Sequence, residues 1–206
     1  LILELHNVIY ASGFFHSPSE RPIGFFIPER GEPTLFIPLL EQENAQDTWI
    51  KEIRCYVEFP GETHPIEWMV KEINLKRLAI DQLDHALFIM LEQGGHRLIT
   101  SSLIDTLRYV KEPEELSLIR KAASYADLFL DFVVENASTM IREGASELDI
   151  LNVALAETKS KQARELGSAF AKTKCGVTAT VHTGPRAALP HGKPLHRKPN
   201  RGDVLI

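Results

Sequence analysis

Cysteine is scarce in this chain. Among its 206 residues only Cys55 and Cys175 occur, and they are too far apart to form a Cys-x-x-Cys motif. A secreted domain of this size more often carries several disulfide-forming cysteines. We therefore expect a protein of the reducing cytoplasm. Cys175 is also a poor candidate for a nucleophile, because nothing in the sequence places a base beside it.

Long apolar runs and an excess of positive charge are missing as well. No stretch approaches the roughly 18 apolar residues that a membrane span needs, and Leu1–Leu3 is followed at once by Glu4, unlike a signal peptide. The formal net charge is −5, whereas phosphate recognition usually shows as a basic excess. We expect neither a membrane nor a nucleic acid as partner. Because the first residue is not methionine and the last three are apolar strand formers, we expect a piece of a longer protein.

Two common catalytic motifs are absent. The nucleophile elbow of serine hydrolases, Gly-x-Ser-x-Gly, does not occur. Gly94-Gly95 is a lone glycine pair after a helical stretch, which is typical of a helix end rather than of a phosphate-binding loop.

Residues 1–110 alternate short β-type runs with helix-type runs of about ten residues. Ile23–Ile27 and Thr34–Ile37 flank a turn rich in proline and glycine, which predicts an antiparallel hairpin. After Pro65, apolar residues recur at the spacing of one buried helix face. The pattern predicts a doubly wound α/β layer with a hairpin attached. The other expected strands are Leu1–Leu5, Arg54–Val57, Leu78–Ile80 and Arg97–Thr100, Asn7–Tyr10 leads into a turn, and the other expected helices are Leu40–Ile50 and His85–Gln93.

Residues 111–206 begin with two long helical patterns. Pro113 suits a first helical turn, Ser146 with Asp149 suits a second helix start, and Gly167 suits its end. We expect core packing and no chemistry from the first helix, and a second buried face from the other. The expected buried stripe of the first is Leu116, Ile119, Ala123, Ala126, Leu130, Val133 and Ala137, and that of the second is Leu148, Leu151, Leu155 and Leu166.

The stretch from His182 to Gly192 is the strongest candidate for chemistry. His191 lies between Pro190, whose φ is fixed, and Gly192, which lets another backbone or a ligand approach closely. This predicts a rigid loop with an exposed imidazole. The alternative is an ordinary solvated histidine.

Other readings of the same stretch are weaker. His182, His191 and His196 supply enough imidazoles for a zinc site, but glycines and prolines interrupt the segment. Asp203 suits a turn hydrogen bond. The basic run is either a solvated loop or a local attraction for an anionic group such as a peptide carboxylate. Its members are Arg186, Lys193, Arg197, Lys198 and Arg201.

Several segments resemble one enzyme family. Val181–Ile206, with its Gly-Pro turn, Leu-Pro-His-Gly and Gly-Asp followed by an apolar run, resembles part of the pita-bread metallopeptidases, which include Xaa-Pro aminopeptidases and prolidases. Residues 111–123 resemble the start of their catalytic domain. Three segments resemble the amino-terminal domain of these enzymes: Tyr10–Phe14, Glu20–Pro22 and Gly31–Leu35. The resemblance thus covers the whole chain.

The resemblance implies an α/β protein of two parts. Residues 1–110 would be a small, creatinase-like, mixed-sheet amino-terminal domain, and residues 111–206 the incomplete start of a pita-bread (α+β) catalytic domain. The implied activity is hydrolysis of the Xaa-Pro bond in peptides or dipeptides by a homodimeric parent. His191 would face the substrate as a catalytic and substrate-binding residue, and Arg21 is a weaker candidate for substrate binding.

The resemblance also implies a metal centre outside this chain. Relatives hold two divalent ions, commonly manganese, with two aspartates, one histidine and two glutamates, all of which would follow Ile206. We therefore expect residues 1–206 to bind no metal and to be inactive alone. Two other readings are a creatinase-like amidinohydrolase and a non-catalytic peptide- or protein-binding module.

Overall fold

The computed structural model describes residues 1–57, 61–168 and 176–206. These divide into two compact units, Leu1–Val110 and Lys111–Ile206, and each is described by itself. No helix in the described ranges is both long and apolar enough to cross a membrane.

The first unit contains a three-stranded sheet. Strand β1 (Gly24–Phe26) pairs antiparallel with β2 (Thr34–Pro38), with Phe25 opposite Leu35. Strand β3 (Glu52–Tyr56) pairs parallel with the other edge of β2. The predicted hairpin is therefore confirmed. Apolar residues on this sheet pack around Phe14 and Ile50 in one of the unit's cores.

A parallel pair of strands forms the second sheet. Strands β4 (Arg77–Ile80) and β5 (Arg97–Thr100) run side by side with Leu78 opposite Leu98. The first residues of the chain connect the two sheets, because Ile2 bridges to Phe25 while the backbone nitrogen of Leu1 donates to the Ala79 carbonyl oxygen at 2.7 Å. Two small sheets joined in this way replace the single doubly wound layer that the sequence pattern predicts.

Five helices in the described part of the first unit surround these strands. The buried helix face expected after Pro65 is confirmed, since Ile66, Met69 and Val70 are buried. The bounds of the five helices are α1 Leu5–Ser12, α2 Gln42–Ala45 after a 3₁₀ turn at Leu39–Glu41, α3 Pro65–Ile73, α4 His85–Gln93 and α5 Leu103–Tyr109. The helix expected over Leu40–Ile50 is therefore shorter than predicted.

Helix α1 corrects a second expectation. The sequence pattern predicts a strand that ends at Leu5 and a turn after Asn7–Tyr10, but all of these residues are helical. Glu4 caps the helix, because its carboxylate accepts from the backbone nitrogen of Asn7 at 2.8 Å. Asp81 holds the same start by accepting from the backbone nitrogens of Leu3 and Glu4. These two hydrogen bonds, from residues 78 and 77 positions away in sequence, outweigh the local apolar run.

The second unit begins with a helical hairpin. Helix α6 spans Pro113–Arg142 and α7 spans Glu147–Leu166, and both start with a capping box. The capping of α7 by Ser146 and Asp149 is as predicted. Phe129 and Val133 pack with Ile150 and Ala154 in the core of this unit.

The buried stripes of both helices differ from those expected. On α6 Val133 and Ala137 are buried as expected, together with Tyr125 and Phe129. The expected Leu116, Ile119 and Leu130 are instead 37%, 49% and 57% exposed. The row at i, i+4 that carries the aromatic rings packs, because those rings bury the largest apolar area. On α7 Leu151 is buried as expected, but Leu148, Leu155 and Leu166 are not, and the row includes Glu147 and Thr158 instead.

Candidate functional site

A short antiparallel pairing closes the loop that carries His191. The backbone nitrogen of His182 donates to the Ile206 carbonyl oxygen at 2.7 Å, and the reverse bond is 2.9 Å. Thr183 and Leu205 form the adjacent bridge. Residues 184–203 are therefore one long loop, which starts with a 3₁₀ turn at Gly184–Ala188.

One buried carboxylate organises this loop. Glu147, the first residue of α7, has no exposed surface. Its Oε1 accepts from the backbone nitrogen and the hydroxyl of Thr183 at 2.8 and 2.9 Å. Its Oε2 accepts from the backbone nitrogen of Leu195 at 3.1 Å and from Nε of Arg186 at 3.2 Å. Glu147 thus holds both arms of the loop on either side of His191.

The surroundings of Glu147 also set its protonation state. Burial raises the pKa of a carboxyl group, but hydrogen bonds from Thr183, Leu195 and Arg186 stabilise the charged form. Together these hydrogen bonds hold the pKa of Glu147 below its ordinary value. The carboxylate is therefore ionised at neutral pH and accepts from all of these donors.

Two arginines of the basic run are structural. Arg186 pairs with Glu147 and also donates to the Lys193 carbonyl oxygen. Arg197 donates to Asp203 at 2.7 Å. For these two residues the solvated loop and the anion-attracting cluster expected from the sequence are both wrong, because their charges are already paired.

Asp203 forms the turn hydrogen bond that the sequence predicts. Its carboxylate accepts from the backbone nitrogen of Asn200 at 2.8 Å. That bond and the Arg197 guanidinium hold the pKa of Asp203 below its ordinary value.

His191 lies in a tight turn at the far end of the loop. The backbone nitrogen of Gly192 donates to the Leu189 carbonyl oxygen at 3.4 Å, so Pro190 and His191 are the two central residues. Pro is favoured at the first of these positions because its φ is fixed. The side chain of His191 is exposed.

The ring of His182 lies beneath this turn. His182 is only 2% exposed, and its Nε2 is 2.6 Å from the Gly192 carbonyl oxygen. A Cβ atom on Gly192 would lie 3.0 Å from Cε1 of the same ring. The close approach expected at Gly192 is therefore to a side chain of the protein itself.

The chemistry open to His191 follows from its exposure. An exposed imidazole on a fixed turn can accept or donate a proton or hydrogen bond to a bound molecule. A cavity of about 550 Å³ in the same unit is lined by Val133, Ala137, Ile141 and Leu205 among others, and His191 is not one of its lining residues.

The described residues do not fit a metal centre. Nowhere in residues 1–57, 61–168 and 176–206 do three or more His, Cys, Asp or Glu side chains converge on one point. The ring of His182 is committed to Gly192, so it does not combine with His191 and His196 in the way that a zinc site requires. Cys175 lies outside the described residues, and burial raises the pKa of the Cys55 thiol, which disfavours the reactive thiolate.

Arg21 belongs to the first unit and lies in the connection before β1. Its guanidinium pairs with the carboxylate of Glu20, and its backbone nitrogen donates to the Ser19 hydroxyl at 3.2 Å. Both partners are neighbours in sequence. Arg21 and His191 belong to different units. The role of Arg21 in substrate binding and the role of His191 in the reaction therefore stay two separate predictions.

Neither the role of Glu147 nor that of His182 is apparent from the sequence. Glu147 appears in the sequence as one more acidic residue in a first helical turn. One feature of the sequence could have indicated its role. Glu147 lies beside Ser146 and Asp149, which cap the helix by themselves, so the cap does not need the Glu147 carboxylate.

Comparison with known proteins gives a consistent picture. The family described as Creatinase/Prolidase N-terminal domain matches residues 1–110. YkvY of Bacillus subtilis, provisionally named a dipeptidase, is 28% identical over 97% of this chain and 54% of its own length. An uncharacterized peptidase of Staphylococcus epidermidis is 26% identical with the same coverage. The chain spans about half the length of the curated relatives that it matches.

Solved structures show the same fold. The prolidase of Pyrococcus horikoshii superposes with a TM-score of 0.69 at 22% identity, over 99% of this chain and 53% of that one. The mixed α/β fold expected from the resemblance is thus confirmed. By the match over its first 110 residues, the chain belongs to the creatinase/prolidase family.

Proposed function

We propose that this chain is the amino-terminal half of a metal-dependent peptidase that hydrolyses the Xaa-Pro bond at the amino terminus of peptides or in dipeptides. The parent would be a cytoplasmic homodimer with two divalent ions, manganese by preference. The chain spans only 54% of the length of its relative YkvY. We propose that the metal ligands belong to the polypeptide that follows Ile206, and the 206-residue chain alone is expected to be inactive.

The observation that carries the proposal is the construction of the His191 turn. An exposed imidazole stands on a loop whose two arms are fixed by the buried Glu147 carboxylate. Burying a charge is costly unless its hydrogen bonds are satisfied. Such an arrangement suits a loop that must hold one side chain in a fixed position. The names of the relatives, dipeptidase and prolidase, support a peptide as the substrate.

His191 has a defined role in this proposal. When the scissile carbonyl becomes tetrahedral, negative charge develops on its oxygen, and a fixed donor stabilises that charge more than it stabilises the ground state. The Pro190-His191 turn fixes the backbone that carries the imidazole before substrate arrives. His191 is therefore the proposed oxyanion or substrate-carbonyl donor of the reaction.

The test compares the complete protein with this chain. Both are assayed with manganese on a Xaa-Pro dipeptide, a Xaa-Pro-Yaa tripeptide, the matched Xaa-Ala peptides and creatine, with a chelator-treated sample as control. The proposal expects cleavage of the proline peptides by the metal-loaded complete protein and none by the 206-residue chain. Hydrolysis of creatine instead would favour an amidinohydrolase. Peptide binding without turnover would favour a binding module.

The sequence beyond Ile206 gives an independent check. An aspartate next, a second aspartate about eleven residues later, and a later histidine and two glutamates would supply the proposed ligand set. Replacement of these residues would contradict the metallopeptidase proposal before any assay is run.

A further inference from the structure

We propose that the buried histidine, His182, is a positioning residue for His191. This inference rests on the proposed function, since it concerns how that reaction's imidazole donor is held. His182 does not touch the substrate in this proposal. It acts through the turn Leu189–Gly192, which carries His191.

The backbone of His182 is held in place by its neighbours. It makes both hydrogen bonds of its pair with Ile206, at 2.7 and 2.9 Å. The next residue, Thr183, is tied to the buried Glu147 through its backbone nitrogen and its hydroxyl. A side chain growing from such a segment has little freedom to move.

The ring of His182 makes a defined contact with the turn. Its Nε2 is 2.6 Å from the Gly192 carbonyl oxygen and 3.0 Å from the Thr180 hydroxyl oxygen. A carbonyl oxygen only accepts, so we assign the proton of the shorter contact to Nε2, and the hydroxyl keeps its own proton for another acceptor. The hydroxyl of Thr180 is a second, more distant donor to the same oxygen at 3.4 Å. The ring also fills the space that a side chain on residue 192 would need.

These contacts fix the turn on the far side of His191. Pro190 restricts the chain before His191 through its ring. The bond from the Gly192 nitrogen to the Leu189 carbonyl oxygen orients the peptide group between His191 and Gly192. The bond from His182 to the Gly192 carbonyl oxygen orients the next peptide group, between Gly192 and Lys193. Without the His182 donor the second of these groups would keep only the 3.4 Å bond from the Thr180 hydroxyl. It would therefore be held more weakly, and we expect the imidazole of His191 to shift with it.

A matched pair of polar substitutions tests the role in the complete protein. In His182→Gln the amide nitrogen reaches about as far as Nε2 and keeps a donor for Gly192, whereas His182→Asn is too short to do so. We expect His182→Asn to lower kcat about ten- to a hundredfold, because misplacement of a catalytic group by about 1 Å has effects of that size. We expect His182→Gln to retain kcat within about threefold, and KM to change little in either, because ground-state binding is not the interaction removed.

The outcomes separate this inference from the proposed function. A wild-type complete protein with no activity on Xaa-Pro peptides overturns the proposed function and this inference with it. An active wild type whose His182→Asn variant keeps full kcat overturns this inference alone. Equal losses of kcat in the Asn and Gln variants, with both folded, also overturn it.

A spectroscopic measurement on the wild type does not depend on any variant folding. The ring nitrogens of His182 in the ¹⁵N-labelled protein should show the Nε2–H tautomer, with a proton that exchanges slowly with water. The Nδ1–H tautomer, or a rapidly exchanging ring proton, would contradict the hydrogen bond to Gly192 and so the inference.

Discussion

The connections that carry His191 and Arg21 both present a polar side chain outside regular structure, but they are held in different ways. The loop 184–203 is held by the Glu147 carboxylate. Glu147 lies 36 positions before Thr183 and 48 positions before Leu195, and it accepts a hydrogen bond from the backbone nitrogen of each. The connection before β1 is anchored at its ends, where Phe14 is buried and Tyr56 donates to the Pro22 carbonyl oxygen at 2.9 Å. Between those anchors, residues 17–20 are exposed.

The difference matters because electrostatic stabilisation of a transition state requires donors that are already in place. The loop of His191 meets that requirement, since buried groups remote in sequence fix both of its arms. The connection of Arg21 does not, since its guanidinium and backbone nitrogen are held by Glu20 and Ser19. We infer that His191 suits a role in the reaction step and Arg21 a role in ground-state binding.

The largest expected effect tests this contrast directly. In the complete protein, His191→Ala should lower kcat on a Xaa-Pro peptide about a hundred- to a thousandfold, as loss of one oxyanion donor does. Arg21→Ala should raise KM and leave kcat nearly unchanged, because it removes binding that ground state and transition state share. Steady-state kinetics of both variants, with circular dichroism to confirm folding, provide the measurement.

Either of two results would break the contrast. A His191→Ala variant with unchanged kcat would show that the fixed loop serves stability rather than chemistry. An Arg21→Ala variant that loses kcat as severely as His191→Ala would show that a connection held mainly by its own neighbours can carry a catalytic group here.

The second prediction concerns what fixes the loop. Glu147→Gln keeps the shape of the side chain, but its one amide oxygen can accept either from Thr183 or from Leu195 and Arg186, and its amide nitrogen only donates. We expect the free energy of unfolding to fall by about 2–4 kcal/mol, because buried donors and a partly buried guanidinium lose a charged acceptor. Urea unfolding of the 206-residue chain measures this.

Glu165→Gln is the matched control on the same helix. Glu165 accepts from Lys121 at 2.6 Å and from the Tyr125 hydroxyl at 2.8 Å, but its side chain is 34% exposed. Solvent screens such a pair, so its loss should cost much less than the loss of Glu147. Equal costs for the two variants would mean that the buried carboxylate does not fix the loop more firmly than a surface pair fixes a helix.

The two helices of the second unit show why the sequence predicts some features and not others. The start of α7 was predictable, because Ser146 and Asp149 satisfy each other's backbone groups within one turn. The partners of Glu147 were not, because no local pattern brings residues 183 and 195 to it. The exposure of Leu116 and Ile119 on α6 was not predictable from local pattern either. Two neighbouring apolar rows of this helix are equally periodic, and only packing in the folded unit decides which row is buried.

The third prediction concerns the close approach at Gly192. A Cβ atom there would lie 3.0–3.1 Å from the His182 ring and 3.2 Å from the Leu189 Cβ atom. Gly192→Ala should therefore cost about 1–3 kcal/mol, the usual range for overpacking. Urea unfolding of the 206-residue chain measures the cost.

Gly176→Ala is the matched control, because a Cβ atom there meets no atom of the described residues within 4 Å and the φ of Gly176 is not in the left-handed region. It should be neutral or stabilise by up to about 1 kcal/mol. If the two alanine variants unfold at the same urea concentration, the turn is looser than the contact between Gly192 and His182 indicates.

The smallest expected effect is the pH dependence of the Glu147 contribution. Its pKa in the folded chain lies below the ordinary value, so its contribution to stability is complete above that ordinary value and is lost as the pH falls through it towards the folded pKa. The difference in unfolding free energy between wild type and Glu147→Gln should therefore be constant near neutral pH and shrink in acid. Measuring both proteins at each pH cancels the titration of Asp149, Glu165 and Asp203. A difference that grows on acidification would mean that burial, rather than the hydrogen bonds from Thr183, Leu195 and Arg186, governs the protonation of this carboxylate.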